Sequence, residues 1–479
     1  MTTVLTACLP PGSAGDPLAP HDLVIENGVI ADIRPAAVAP AGRLLALPAL
    51  ANAHDHCRPL SPTSFGAAGK PLETWLLRLG VMPAVDPYLG AKAAFARAAR
   101  AGAGSVMAHY TRLHGPMSPV EEAREIARAA ADVGVRVTLA LFMRDRNPLV
   151  YGDAKPLLDQ LEPEARASIE AAFFAPTPSI ADQIARVEAL AAAVESETFT
   201  VQFGPNGAQW CSDELLAAIG EASRRSGRRI HIHLLETKYQ RAFADAAYPE
   251  GLTKRLAALG FLSERVTLAH CVHARPEELD DIAAAGAVIA TNPSSNLHLR
   301  SGVAPIGEAI KRGCRVAIGV DASAFDEDDD ILREMRLGHF LHGGWGFDEV
   351  VGREDWLNGI VANGRFANGA PGDGALKVGA PADILLLDLD RLDRARVMPV
   401  EPVDLLFARA HAAHVEALYV AGRPVVSEGR LARVDFEATH EALRAQYRER
   451  VGGRAAFARA FAALEPLAQA FYRNGLSCC

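Results

Sequence analysis

Residues 44–59 read LLALPALANAHDHCRP, an apolar run that ends abruptly in His54, Asp55, His56 and Arg58. Side chains of a strand alternate faces, so a buried strand here turns His54 and His56 one way and Asp55 the other. Two neutral imidazoles converging on one point suit a borderline divalent metal such as Zn²⁺, and a strand end holds them more rigidly than a loop. His-x-His alone is equally a pair of surface or core histidines. What decides is whether further ligands arrive from other strand ends.

Outward from this run, short β-rich stretches alternate with alanine-rich helical ones. Strands are predicted at 44–54, 105–110, 135–143, 198–204, 228–236, 265–271, 287–293 and 314–321. Between them lie stretches such as SPVEEAREIARAAADVG and SDELLAAIGEASRRSG, whose Ser starts suit N-caps and whose Gly ends suit C-caps. Eight strand–helix units imply parallel strands with crossover helices, an α/β fold that closes as a (β/α)₈ TIM barrel.

Both chain ends are strand-like: HDLVIENGVIADI near the start, LKVGAPADILLLDLD and ALYVAGRPVVSEGRL near the end. The expected division is a small composite β-sandwich from 1–48 and 374–432, a barrel over 49–373, and an amphipathic helical extension over 433–479. The extension is assigned to docking on the barrel or to a subunit contact.

A length of 479 residues, with 49% hydrophobic and 22% charged, describes a packed globular chain too long for one small core. The net charge of −9 is dispersed and no Lys/Arg block stands out, which argues against nucleic-acid or membrane partners and for a small-molecule substrate. Seven scattered cysteines without a Cys-x-x-Cys suit free thiols in the cytoplasm. The N-terminus lacks the basic and apolar regions of a signal peptide, and no apolar run approaches membrane-helix length.

In a barrel of this kind functional groups gather at the C-terminal strand ends. Those ends carry His54 and His56, His109, Gln202, His233 with Glu236, His270 and Asp321. In HIHLLET, His231 and His233 share a face, so spacing alone does not choose between them, although His233 is nearer the end. Glu236 reads as a proton shuttle or as a surface residue opening a helix. His270 has the plain alternative of a structural histidine. Asp321, directly after a buried strand, must be paired, metal-bound or neutralised.

The His-x-His after the first strand, HIHLLET on the fifth, LAHCVHA on the sixth, NPSSNLHLRSGVAPI after the seventh and GVDASAFDEDDD on the eighth resemble the amidohydrolase superfamily. Within it they are most similar to the branch of cytosine, guanine and S-adenosylhomocysteine-type deaminases and triazine hydrolases. The resemblance spans nearly the whole chain, including the sandwich. It implies that His54, His56, His233 and Asp321 hold one divalent metal, Zn²⁺ or alternatively Fe²⁺, that His270 contacts water or substrate, and that Glu236, His270 and Asp321 are the catalytic set. Members with two metals bridge them with a carboxylated lysine on the fourth strand. TVQFGPNGAQWCS offers Gln202 there and no lysine, which implies a mononuclear site. The resemblance also implies a homo-oligomer, a homodimer or a larger assembly.

Arg58 departs from the deaminase pattern. His-x-His-x-Arg resembles dihydroorotase and other cyclic-amide hydrolases, where that arginine grips a substrate carboxylate; a structural ion pair is the other reading. His109, Arg112, Arg144 and Arg146 make the pocket more basic than the global charge, which suggests an anionic or strongly polar substrate. The substrate-binding set is Arg58, His109, Gln202 and Trp210. Trp210 and Tyr110 could stack on a planar ring, with core packing the plainer role. The acidic run Asp326 to Asp330 is read as a helix N-terminus.

The expected activity is deamination of an N-heterocycle by metal-activated water. Opening of a cyclic amide or hydantoin-like ring, or displacement of sulfide, halide or alkylamine from a carboxylate-bearing ring, is the second reading, and a non-catalytic scaffold the third.

Overall fold

A computed structural model describes residues 2–9, 19–38, 42–113 and 117–474. Cys478 and Cys479 lie outside the described residues. Eight parallel strands follow one another in sequence order: Leu50–Asn52 (β1), Ala103–Tyr110 (β2), Arg136–Met143 (β3), Phe199–Pro205 (β4), Ile230–Leu234 (β5), Val266–His270 (β6), Val288–Thr291 (β7) and Arg315–Ile318 (β8). The ring closes just beyond the last strand, where Ala53 N–H donates to Ile318 O at 2.8 Å and Asp321 N–H to His54 O at 2.9 Å. Residues in β5, β6 and β7 are all buried, as strands covered on both faces require.

The expected first strand differs. Residues 44–54 are two elements: Leu44–Pro48 belongs to the sheet built from the chain ends, and after Ala49 the chain passes into β1. One apolar run thus serves two cores, which its composition could not reveal. Three other predicted strands overrun at their C-terminal ends, 228–236 by two residues, 265–271 by one and 314–321 by three, for a common reason. Leu235, His270, Cys271 and Asp321 adopt φ of 50°, 76°, 49° and 63°, a left-handed conformation that ends a ladder.

Caps close the helices where expected. Ser118 and Glu121 form a capping box on Pro119–Val133, and Gly134 ends it at φ 94°. Asp330 caps Ile331–His342 through the N–H groups of Leu332 and Arg333, while Asp326 and Asp328 pair with Arg333. Asp329 instead reaches Arg97 at 2.9 Å. The acidic run is therefore structural.

The chain ends meet in one continuous sheet, ordered Arg430–Leu431, Arg423–Ser427, Val415–Val420, Ile384–Asp388, Leu44–Pro48, Thr3–Cys8, Pro20–Glu26 and Val29–Pro35. Its last strand also bonds to the segment that leads into Ile384–Asp388: Ile30 N–H donates to Ala380 O at 2.9 Å and Gly379 N–H to Ile30 O at 2.8 Å. A second small core of Leu5, Leu23, Ile25, Ile30, Ile384 and Leu386 fills the fold. Arg136, at the start of β3, joins this sheet to the barrel through an ion pair with Asp383.

The C-terminal helices Phe436–Arg450 and Ala455–Arg473 pack on the barrel, against Pro87–Arg100, Leu72–Arg78 and Pro163–Phe173. The approach is tight at Gly80, where a Cβ would sit 2.3 Å from the Phe457 ring. Tyr151 N–H donates to Tyr472 Oη at 3.3 Å, and Arg454 donates to Gly80 O.

Candidate active site

The C-terminal strand ends bring six histidines together. His54 and His56 leave β1, His109 lies on β2, His231 and His233 on β5, and His270 closes β6. His54, His109, His231, His233 and His270 are buried and His56 nearly so. Burial lowers all six below the ordinary imidazole value, to about 4 for His54 and His56 and to about 3 for His109. They are neutral near pH 7 and keep a lone pair to offer.

Asp321 joins them from beyond β8. Its Oδ1 stands 3.2 Å from His54 Nε2 and 3.3 Å from His56 Nε2, and His56 Nε2 stands 3.2 Å from His233 Nε2. Burial pushes the Asp321 carboxyl up, yet the two imidazoles facing it outweigh that and hold it well below the usual range. Close approach is possible because β8 is followed by Gly319, where a Cβ would fall 2.7 Å from His54 Cβ.

These residues fit a divalent cation. Two ligands of a tetrahedral Zn²⁺, each about 2.0–2.1 Å from it, lie about 3.3 Å apart, which matches the His54–Asp321, His56–Asp321 and His56–His233 spacings. Nε2 of His54 is sealed from solvent and makes no aligned hydrogen bond among the described residues. Nδ1 of His56 donates to His109 O at 2.8 Å and Nδ1 of His233 to Asn206 O at 2.7 Å, which leaves each Nε2 as the free lone pair. His270 belongs to the same cluster: one ligand atom from each of His54, His233, His270 and Asp321 lies within 4.8 Å of the others.

Glu236 follows β5 and is buried, which raises its carboxyl well above the ordinary value; the negative charge of Asp321 adds to this. Its Oε2 lies 3.8 Å from His270 Nε2, and its Oε1 has no hydrogen-bond partner among the described residues. A protonated acid beside an ionised one is the pairing that separates donor from acceptor.

A cavity of about 240 Å³ opens onto Glu236, Asp321, His233 and His270. Leu72, Trp75, Leu76, Met82, Phe173 and Leu299 make much of its wall, and four arginines, Arg58, Arg112, Arg144 and Arg454, also line it. Arg58 lies over the Trp75 ring at 5.0 Å and makes no ion pair among the described residues; its Nη1 is sealed from solvent and unpartnered. The structural ion pair considered for Arg58 is thus not formed. Arg97 instead holds the Arg58 backbone, donating to its carbonyl at 2.6 Å. Trp210 lines the same cavity, with its Nε1 unpartnered.

Two expected substrate contacts are elsewhere. Gln202 donates to Ala367 O at 3.1 Å beneath the site and does not line the cavity, and His109 is sealed under the histidine cluster, its Nε2 donating to Gly204 O at 3.1 Å. Both lie deeper in the barrel than the strand-end count implied. Arg146 also does not line the cavity. Residues that the sequence did not single out hold the cluster in place: Ser295 donates to Asp321 Oδ2, and His270 Nδ1 meets Asn296 Oδ1 at 2.8 Å. Both come from the NPSSN segment after β7, which spacing alone gave no role. Arg454 comes from the helical extension, far from any strand end.

A closed ring of parallel strands with histidines and an aspartate gathered at its C-terminal end is the architecture of a barrel hydrolase built around a metal. The amidohydrolase family profile matches residues 45–425, and the chain belongs to that family. It is a hydrolase acting on carbon–nitrogen bonds. It is 28% identical over 430 residues to a 5-methylthioadenosine/S-adenosylhomocysteine deaminase of Pyrococcus abyssi, covering 87% of this chain and 92% of that one. Among solved structures, an adenosine deaminase from Xanthomonas campestris with bound zinc superposes with a TM-score of 0.76 at 22% identity, over 94% of this chain and 98% of the other. Atrazine chlorohydrolase from Arthrobacter aurescens, complexed with zinc, does so with a TM-score of 0.69 at 21% identity, over 89% and 94%. These likenesses carry the fold. Among the described residues no helix is long and apolar enough to cross a membrane.

Proposed function

We propose that the protein is a zinc-dependent aminohydrolase that removes an amino group from an N-heterocycle bearing an anionic substituent. His54, His56, His233 and Asp321 would hold one cation, with Fe²⁺ the alternative to Zn²⁺. The observation that carries this reading is the pairing at the cavity floor: Glu236, biased toward its protonated form, beside an ionised Asp321, with His270 Nε2 at 3.8 Å and 3.9 Å from the two carboxylates. The names of the relatives, deaminases of adenine nucleosides, support the same bond.

A bound divalent cation supplies Lewis acidity, bringing the pKa of a coordinated water to about 7. The chain supplies the rest. Asp321 accepts the proton that water gives up as its oxygen bonds to the ring carbon bearing the amino group. Glu236 donates a proton to the adjacent ring nitrogen, and His270, fixed by Asn296, offers Nε2 to the oxygen that joins the ring. Return of the Asp321 proton to the amino group expels ammonia, and the proton of the added hydroxyl passes by way of His270 Nε2 to Glu236, which restores the carbonyl form of the ring and the acid together. Leu72, Trp75, Leu76 and Phe173 keep bulk water from the ring.

Arg58 and Arg112 support the anionic substituent. A guanidinium without a counter-charge in a water-poor wall is costly to keep, and among the described residues Arg112 has only a 3.4 Å hydrogen bond to Met82 O. A planar carboxylate suits the fork of Arg58. The thiols of Cys57, Cys211, Cys271 and Cys314 support a reducing compartment, the cytoplasm.

Ammonia release from aminopurines, pterins and aminopyrimidines, run beside hydantoins and thiohydantoins, tests this reading. Ammonia from at least one carboxylate-bearing aminoheterocycle is the expected result. Ring opening without ammonia would overturn it.

A further inference from the structure

His231 is buried at the base of the cluster, and its Nε2 lies 2.7 Å from His54 Nδ1 with the two rings within 10° of coplanar. That separation is too short for two ligands of one cation, which lie about 3.3 Å apart, and is the length of a hydrogen bond. His231 therefore contacts the site without sharing the cation.

The three histidines assigned to the cation are held in two different ways. His56 and His233 each turn Nδ1 to a backbone carbonyl, at 2.8 Å and 2.7 Å. A carbonyl only accepts, so it fixes the proton on Nδ1 and leaves Nε2 bare. His54 turns Nδ1 to an imidazole, which can accept or donate. If His231 accepts, the His54 proton sits on Nδ1 and Nε2 is free for a cation. If His231 donates, the His54 proton sits on Nε2, directed at Asp321 Oδ1 at 3.2 Å, and the lone pair is lost.

We propose that His231 is a positioning residue that selects the metal-binding tautomer of His54, and with it sets the site's affinity for a divalent cation. In the accepting arrangement the proton of His231 lies on Nδ1, an atom with no hydrogen-bond partner among the described residues. That buried N–H opposes the accepting arrangement, and a cation at His54 Nε2 stabilises it. The two rings exchange tautomers together as the cation arrives, with no change in total proton count. The inference rests on His54 being a ligand, as proposed above.

The test is Zn²⁺ affinity by chelator competition on the full chain, for wild type, His231→Phe and His231→Gln. Phe removes the acceptor and keeps bulk; Gln offers a carbonyl oxygen that can accept from His54 Nδ1. Loss of such an outer partner weakens binding roughly 10- to 100-fold. We expect that loss in His231→Phe, affinity within a few-fold of wild type in His231→Gln, and unchanged melting of both metal-free variants. Equal Zn²⁺ affinity in wild type and His231→Phe would overturn the proposal, as would equal weakness of the two variants. In Zn²⁺-loaded wild type, long-range ¹H–¹⁵N histidine spectra should show His231 protonated on Nδ1 and bare on Nε2; the reverse overturns the proposal without any variant needing to fold. Wild type that binds no Zn²⁺, or a His54→Ala chain that binds it unchanged, would bring down the ligand assignment itself.

Discussion

Glu236 and His270 face each other across the cavity floor, Oε2 to Nε2 at 3.8 Å, too far for a direct hydrogen bond and close enough for one small group to touch both. Burial keeps the acid protonated and the imidazole neutral, so each holds the form its role needs. Glu236→Gln retains shape and hydrogen bonding and removes the transferable proton. Its kcat/KM should fall roughly 10²- to 10⁴-fold, with metal content unchanged by elemental analysis. Wild-type turnover in this variant would remove Glu236 from proton transfer.

Arg58 leaves no carboxylate stranded when it is replaced, because it has no ion-pair partner among the described residues. Hydrogen bonds to charged groups contribute about 1.5–3 kcal/mol, so Arg58→Met should raise KM for a carboxylate-bearing substrate roughly 10- to 100-fold. Its kcat and melting temperature should stay near wild type. Steady-state kinetics with matched substrates, one carrying the carboxylate and one lacking it, check this; an equal change for both would refute the contact.

Acid stability follows from the six histidines. Their folded pKa values lie below the unfolded value of 6.5, at about 4 for His54 and His56. Between pH 6.5 and about 4 the unfolded chain binds more protons, so stability is full above pH 6.5 and is lost as pH falls through this window. Thermal melting of the metal-free protein should drop steeply there. Bound metal should steepen the drop, because protonation also removes the ligands. A flat melting temperature from pH 7 to 4.5 would contradict the buried, neutral cluster.

The helical extension holds part of the cavity wall. Phe457 fills the space against Gly80, beside the wall residues Leu79 and Met82, and its ring also faces Phe173 at 6.0 Å. Phe457→Ala should destabilise the protein by about 3–5 kcal/mol. It should also speed amide exchange in Leu72–Arg78 and Pro163–Phe173 ahead of β5. Uniform acceleration across the barrel would mean that the extension stabilises the fold without shaping the wall.

Much of this was legible from the sequence. Strand-end histidines, Glu236 and Asp321 follow from reading one position in each repeating unit, and the fold places them together. What was hidden depended on depth and on contacts distant in sequence. Counting strand ends could not tell Gln202 and His109, which lie below the cavity, from His233, which lines it. The split of residues 44–54 between two sheets was invisible because both halves are equally apolar. Arg454 reaches the cavity from a helix more than 130 residues beyond Asp321. His231 and His233 share a strand face, and only the 2.7 Å contact with His54 separated their roles.

The account depends most on four side chains, His54, His56, His233 and Asp321, holding one cation. Elemental analysis of the purified chain, beside single alanine variants at each of the four positions, measures this directly. One equivalent of zinc or iron per chain in wild type, lost in every variant, is the predicted result. Metal retained in all four variants, or full hydrolytic activity in a chain stripped of metal, would contradict it.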